Sequence, residues 1–130
     1  MNNKSFEELK ELVLEWADDK DLLHEENAEK QFMKFIEEVF EFKEAWDNLV
    51  FVKGMREPAD KQGIRIQVDE KMVEDCKLEM GDIFVTLIIL CEQLEINPVV
   101  CLEMAYEKIS KRQGKTINGM FYKAEDLNND

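Results

Sequence analysis

The apolar positions of the chain recur at helical spacing and predict four helices. The first opens at a capping box formed by Ser5 and Glu8 and extends to about residue 18. The second covers about 25–50 and the third about 70–94. Because the second half of the third helix is apolar nearly all round, we expect it to be buried on several sides, in a bundle or at a subunit interface.

The fourth predicted helix begins at Asn97, a suitable N-cap, with Pro98 at its first helical position, and continues to about Arg112. Residues 53–68 contain two glycines and one proline and are predicted to be an inserted loop, whose last five residues alternate like a short strand. Residues 115–130 have no helical period and are predicted to be a non-helical tail.

The composition fits a helical protein. With 5 glycines and 2 prolines in 130 residues, the chain has few of the turn residues that an all-β sandwich needs. The hydrophobic fraction of 45% excludes general disorder. We therefore expect an all-α fold, a four-to-five-helix bundle in a single domain over residues 1–130.

The charge and the cysteines limit the function classes. A net charge of −13 disfavours binding to nucleic acid polymers and to anionic membranes. The longest apolar run, residues 83–91, is far shorter than the roughly twenty residues of a membrane span. Three cysteines without a CxxC motif, and no secretory signal at the start, predict reduced thiols in a cytoplasmic protein.

Two acidic pairs are candidate metal ligands. Glu38 and Glu41 lie three residues apart in the second predicted helix, and Glu79 and Asp82 have the same spacing in the third. Residues at this spacing share a helix face, so two helices with those faces opposed would bring four carboxylates together. Like charges so close are unfavourable without a cation, and Mg²⁺ prefers such oxygen ligands.

The random frequency of acidic pairs argues against a metal site, whereas the residues around these two pairs argue for one. With 30 acidic residues in 130, several such pairs are expected at random. However, Asp82 directly precedes an apolar run, and one stripe of the second helix carries Asn27, Gln31, Lys34, Glu38 and Glu41. The residues alone therefore leave metal binding and a solvated charged face as equal alternatives.

A basic block follows in an otherwise acidic chain. From 108 to 123 the chain has no acidic residue and contains Lys108, Lys111, Arg112, Lys115 and Lys123. These side chains either favour a helix C-terminus and then a solvated tail, or contact the phosphates of a metal-bound polyphosphate.

Residues 37–41, Glu-Glu-Val-Phe-Glu, and 78–84, Leu-Glu-Met-Gly-Asp-Ile-Phe, resemble the ExxE…ExxD pattern of MazG-like all-α nucleoside triphosphate pyrophosphohydrolases. The similarity continues through the basic block and covers about residues 25–123. It implies a helical bundle of that family, hydrolysis between the α and β phosphates of a nucleoside triphosphate, and a homodimer or homotetramer.

The resemblance also implies residue roles. The ligands of Mg²⁺, with Mn²⁺ as the alternative ion, would be Glu38, Glu41, Glu79 and Asp82. The catalytic carboxylates would be Glu37, Glu38 and Glu41, with either Glu37 or Glu41 orienting the water. Phosphates would meet Lys34, Lys108 and Arg112, with Lys111 as an alternative; the base or sugar would meet Asn27, Gln31 and Trp16, although Trp16 suits a core equally well.

Two departures and two alternatives accompany this resemblance. The gap over 42–78 is long, and Tyr106 stands where longer relatives often have Asn. The main alternative is a non-catalytic helical interaction protein with a vestigial nucleotide or metal site. A di-iron bundle is disfavoured because it usually needs two ExxH motifs and His24 is the sole histidine. The spacing of the residues leaves the identity of the nucleotide open.

Overall fold

The structure, a computed structural model, describes residues 3–64 and 70–127. These residues form five helices: α1 (Phe6–Asp19), α2 (Ala28–Lys61), α3 (Glu70–Gln93), α4 (Pro98–Ser110) and the single turn α5 (Ala124–Leu127). A 3₁₀ turn at Glu25–Asn27 precedes α2. The strands β1 (Gly114–Ile117) and β2 (Met120–Lys123) form one antiparallel hairpin. The predicted all-α class is confirmed.

The chain divides into two compact units, Met1–Glu95 and Ile96–Asp130. The first unit contains α1, α2 and α3, and the second contains α4, the hairpin and α5. That the whole chain is one helical domain of the MazG type stays a prediction.

Local capping fixes the starts of α1 and α4 as predicted. The Ser5 hydroxyl accepts a hydrogen bond of 3.1 Å from the Glu8 amide. The Asn97 side chain accepts hydrogen bonds from the amides of Val99 (2.9 Å) and Val100 (3.4 Å). Each cap satisfies amides that have no partner within the helix, so both predicted starts are confirmed.

The inserted loop predicted over 53–68 is wrong for its first part, because α2 continues through it to Lys61. Pro58 lies inside the helix, near its end, and has no N–H to donate to the Gly54 carbonyl. The helix ends after Lys61, with Gln62 as its C-cap, and the next residue, Gly63, has φ of 77°. There the Gly63 amide donates to Asp60 and the Ile64 amide donates to Ala59, a Schellman motif. Apart from Ile64, the strand-like residues lie outside the described part of the chain.

The prediction of a non-helical tail is wrong only for the single turn α5; the strands β1 and β2 agree with it. The turn of the hairpin is Asn118–Gly119, with φ values of 51° and 80°. Two successive positive φ angles define the type I′ turn that joins twisted strands. The Asn-Gly pair between two short β-prone runs was the sequence signal for this hairpin.

In the first unit, α2 runs antiparallel beside α3, and α1 packs against α3. The rings of Phe6 and Phe84 meet edge to face at 6.3 Å. Among the described residues, the apolar ones that are fully or nearly buried are Ala17, Ile88, Ile89 and Cys91. Three of these four belong to the second half of α3, so the predicted burial of that segment is confirmed.

Among the described helices, none is by itself long and apolar enough to cross a membrane. The helices α3 and α4 meet that test of length and composition only when they are counted together across the break between them.

Candidate metal centre

Three of the four predicted ligands come together between α2 and α3. Glu38 and Glu41 lie one turn apart on α2, and Glu79 faces them from α3. One carboxylate oxygen from each residue lies within 4.8 Å of the corresponding oxygens of the other two. We call this group the carboxylate triad.

Burial makes the triad more than a solvated acidic surface. The Glu38 side chain is only 9% exposed. Its Oε2 atom and the Oε2 atom of Glu79 are both buried and have no hydrogen-bond partner. A buried charged acceptor without a partner is costly, and a bound cation would supply the missing interaction. The donor set of carboxylate oxygens fits a hard divalent ion such as Mg²⁺.

The triad also perturbs its own protonation. The pKa of Glu41 is raised, first by a side-chain hydrogen bond with Glu38 and then by the negative charge of Glu38. Glu79 adds to this repulsion, and Lys34 opposes it. The neighbouring carboxylates therefore favour a proton on Glu41, as expected for like charges at close range.

Lys34 forms ion pairs with Glu38 of the triad and with the neighbouring Glu37. Its Nζ atom lies 3.3 Å from Glu38 Oε1 and 3.6 Å from Glu37 Oε2. These contacts raise the pKa of Lys34, chiefly through the hydrogen bond to Glu38. Glu37 itself is exposed and lies outside the triad. Lys34 thus stands at the edge of the triad, where it can meet an anion approaching from solvent.

Asp82, the fourth predicted ligand, lies one turn beyond Glu79 on α3 and is exposed. Within residues 3–64 and 70–127, the candidate metal group contains Glu38, Glu41 and Glu79 but not Asp82. The convergence expected for four carboxylates is therefore found for three.

An open cavity of about 550 Å³ adjoins the triad along the same groove between α2 and α3. Its walls include Glu41 and Glu79 of the triad, and beyond them Glu44, Ala45, Asn48, Met72 and Asp75. Sequence reasoning missed Glu44, Asn48 and Asp75. Their signal was helical spacing, since Glu44 and Asn48 follow Glu41 by three and seven residues and Asp75 precedes Glu79 by four.

The predicted phosphate-binding residues of the second unit also share a cavity. A space of about 500 Å³ is lined by Lys108, Lys111, Arg112, Gln113, Lys123, Ala124 and Glu125. Four cationic side chains around one concave surface make it attractive to anions. The fold of the hairpin brings Lys123 back to the end of α4, which explains how a block spread over sixteen residues becomes one site.

The residues predicted to contact base or sugar lie in three different surroundings. Gln31 donates from Nε2 to the Thr86 carbonyl at 3.2 Å. Asn27 lies in the 3₁₀ turn before α2, and its backbone amide donates to His24. Trp16 lines a wholly apolar cavity of about 350 Å³ together with Leu9, Leu12, Val13 and Val85.

The fold and the site together define an α-helical protein with a candidate three-carboxylate metal centre. Comparison with protein-family models, with curated proteins and with solved structures found no match to this chain.

Proposed function

We propose that this protein is a magnesium-dependent nucleoside triphosphate pyrophosphohydrolase of the MazG-like type. It would convert a nucleoside or deoxynucleoside triphosphate to the monophosphate and pyrophosphate, with nucleotide-pool housecleaning as its cellular role. The observation that carries the proposal is the carboxylate triad with its two buried, unpartnered oxygens. The resemblance of residues 37–41 and 78–84 to the paired family motif supports the reaction class.

Each residue near the triad has a part in this proposal. Glu38, Glu41 and Glu79 would hold the ion, with Asp82 completing the set from the next turn of α3. When bound, Mg²⁺ supplies a Lewis acid that makes an attacking water more acidic and offsets phosphate charge. Lys34, at the edge of the triad, would contact a phosphate oxygen of the substrate.

The proton taken from the attacking water needs an acceptor. Glu41 is one candidate, because it lies in the triad, beside the proposed ion. Glu37 remains the alternative, since it shares Lys34 with Glu38. Lys108, Lys111 and Arg112, which line the basic cavity of the second unit, remain the further phosphate contacts that the family resemblance implies.

We further propose that the protein acts in the cytoplasm as a homodimer or homotetramer. Large apolar side chains of the first unit are about half exposed or more; among them are Phe6, Trp16, Phe40, Phe51 and Leu78. Such a density of exposed apolar groups is typical of a surface that associates. Light scattering should give two or four times the chain mass of 15.4 kDa, and a monomer at micromolar concentration would refute the association.

The activity test is a panel of canonical and deoxy triphosphates with Mg²⁺, with products separated by ion-exchange chromatography. Wild type is compared with Glu38→Gln, with Asp82→Asn and with the exposed control Glu29→Gln on the same helix. Monophosphate and pyrophosphate, lost in Glu38→Gln, reduced in Asp82→Asn and retained in the control, are the expected result. Diphosphate and phosphate would refute the proposed cleavage position.

The non-catalytic alternative predicts a different result for the same samples. A helical interaction protein with a vestigial site would turn over no triphosphate in the panel and would give no calorimetric signal with Mg²⁺. Heat of magnesium binding that disappears in Glu38→Gln would rule that alternative out at the level of the metal site.

A further inference from the structure

A polar side chain joins the two helices that carry the triad. Gln31 of α2 donates from Nε2 to the backbone carbonyl of Thr86 in α3, at 3.2 Å, in a partly buried position. The Thr86 side chain takes no part in this contact, since its hydroxyl donates to the Ile83 carbonyl at 2.9 Å. The bond between the helices therefore depends on the Gln31 amide alone.

The Gln31–Thr86 hydrogen bond and the Glu38–Glu79 pair are separated by the same number of residues on both helices. Gln31 precedes Glu38 by seven residues on α2, and Thr86 follows Glu79 by seven residues on α3. Seven residues are about two turns, or roughly 10 Å along a helix. Because α2 and α3 run antiparallel, both steps lead the same way along the groove. The Gln31–Thr86 bond and the Glu38–Glu79 contact thus belong to one register of the two helices.

The residues seven positions further along each helix, in the opposite direction from Gln31 and Thr86, fit the same register. Seven residues beyond Glu38 is Ala45, and seven residues before Glu79 is Met72. Both line the cavity that adjoins the triad. Three positions along the groove, each two turns from the next, therefore hold the Gln31–Thr86 hydrogen bond, the Glu38 and Glu79 carboxylates, and the apolar residues Ala45 and Met72.

The apolar contacts of α2 do little to fix its register against α3. Glu38 is the one buried residue of α2 in the described chain, and aromatic side chains such as Phe32 and Phe40 are about half exposed or more. Few side chains are thus enclosed deeply enough to resist a sliding motion. In paired helices, a single polar contact at an inward position can specify the register that apolar residues leave open.

We infer that Gln31 is a positioning residue, which sets the register of α2 against α3 and thereby places Glu38 and Glu41 opposite Glu79. The inference rests on the proposed metal site, because its consequence is the geometry of that site. A metal centre tolerates displacements of only about 0.5 Å in its ligands, so a small slip between the helices is enough to weaken binding.

The test uses the full chain and Mn²⁺, whose binding is counted from the electron paramagnetic resonance of the free ion. Gln31→Met keeps the shape of the side chain and removes the donor. Gln31→Lys restores a donor on a chain of similar length. The matched control is Gln93→Met: Gln93 is 2% exposed and also donates to a backbone carbonyl, that of Leu22 at 2.8 Å, but this bond does not involve α2.

We expect Gln31→Met to weaken Mn²⁺ binding about tenfold or more, the range seen when residues that orient metal ligands are lost. Gln31→Lys should recover most of the affinity. Gln93→Met should leave the Mn²⁺ affinity unchanged, because the bond that it removes does not involve α2.

Three results would overturn the inference, and they differ in what else they affect. Unchanged Mn²⁺ affinity in Gln31→Met, with or without lost stability, would make Gln31 a structural residue only and would leave the proposed function standing. An equal loss of affinity in Gln93→Met would show a general effect of instability. Absence of Mn²⁺ binding in wild type would remove the proposed metal site, and the inference with it.

Discussion

The substitution Glu38→Gln should have opposite effects on stability in the absence and presence of metal. Glu38 carries a buried Oε2 atom without a partner, beside two other carboxylates. Replacing the carboxylate with a neutral amide of the same shape removes the repulsion within the triad. The same replacement removes a ligand that a bound ion would need.

The magnitudes follow from the burial of Glu38 and from linkage. An unsatisfied buried polar group costs about 1–3 kcal/mol, and the new amide can donate to a neighbouring carboxylate, whereas the ion pair with Lys34 is lost. In a chelator the variant should therefore be more stable than wild type by about 1 kcal/mol. Metal at one hundred times its dissociation constant stabilises wild type by about 2.7 kcal/mol. For a chain of this size each 1 kcal/mol corresponds to roughly 3–5 °C, so Mg²⁺ should raise the wild-type melting temperature by about 10 °C.

Differential scanning fluorimetry in EDTA and across a magnesium titration measures both effects. Glu38→Gln should melt higher than wild type in EDTA and lower in saturating Mg²⁺, with little response to the ion. The control Glu29→Gln, an exposed substitution of the same chemistry, should follow wild type throughout. A variant that melts below wild type in EDTA would refute the idea that the unpartnered oxygen is a cost. A wild-type curve indifferent to Mg²⁺ would refute the metal centre.

Three further outcomes are expected. Because the pKa of Glu41 is raised, its stabilising contribution is present below the ordinary carboxyl pKa and is lost as pH rises through the raised pKa. In the absence of metal, the melting temperature of wild type should therefore fall across this pH range. That of Glu41→Gln should fall less. In Gly114→Ala the new Cβ would lie against the Tyr122 carbonyl. Amide hydrogen exchange across β1 and β2 should therefore be faster, by an amount corresponding to about 1–3 kcal/mol. Unchanged protection from exchange would contradict the hairpin. Removal of the α4 cap in Asn97→Ala should cost about 1 kcal/mol in chemical denaturation, and an unaltered midpoint would show that the cap carries no stability.

Features that depend on a few neighbouring residues could be predicted from the sequence. The caps at Ser5 and Asn97 are of this kind, because each side chain satisfies amides within three residues. The pairing of Glu38 with Glu41 on one face of α2 is equally local, since it follows from three-residue spacing.

Features that depend on competition between signals could not be predicted in the same way. Gly54 and Pro58 suggest a break, yet α2 contains both and ends only after Lys61, where Gly63 and Ile64 form the Schellman bonds. A glycine in an exposed helix costs only about 1 kcal/mol, which the surrounding helical residues can offset.

The inward face of α1 shows a further limit of pattern analysis. The hydrophobic spacing selects the side with Phe6, Leu9 and Trp16, but these residues are about half exposed. The buried positions are Lys10 and Ala17. Lys10 can be buried because its ammonium group reaches Glu7 at 2.7 Å, so that the aliphatic stem covers apolar surface while the charge is paired.

The exclusion of Asp82 from the triad follows from helix direction, which spacing does not reveal. In both acidic motifs the second residue lies three positions after the first. Because α2 and α3 are antiparallel, the step from Glu38 to Glu41 and the step from Glu79 to Asp82 lead in opposite directions along the groove. The Glu38–Glu79 contact is thus flanked by Glu41 on one side and by Asp82 on the other. An ion held by the triad would lie towards Glu41, and Asp82 would be its most expendable ligand. In the Mn²⁺ assay, Asp82→Asn should therefore weaken binding less than Glu41→Gln does, and the reverse order would refute this arrangement.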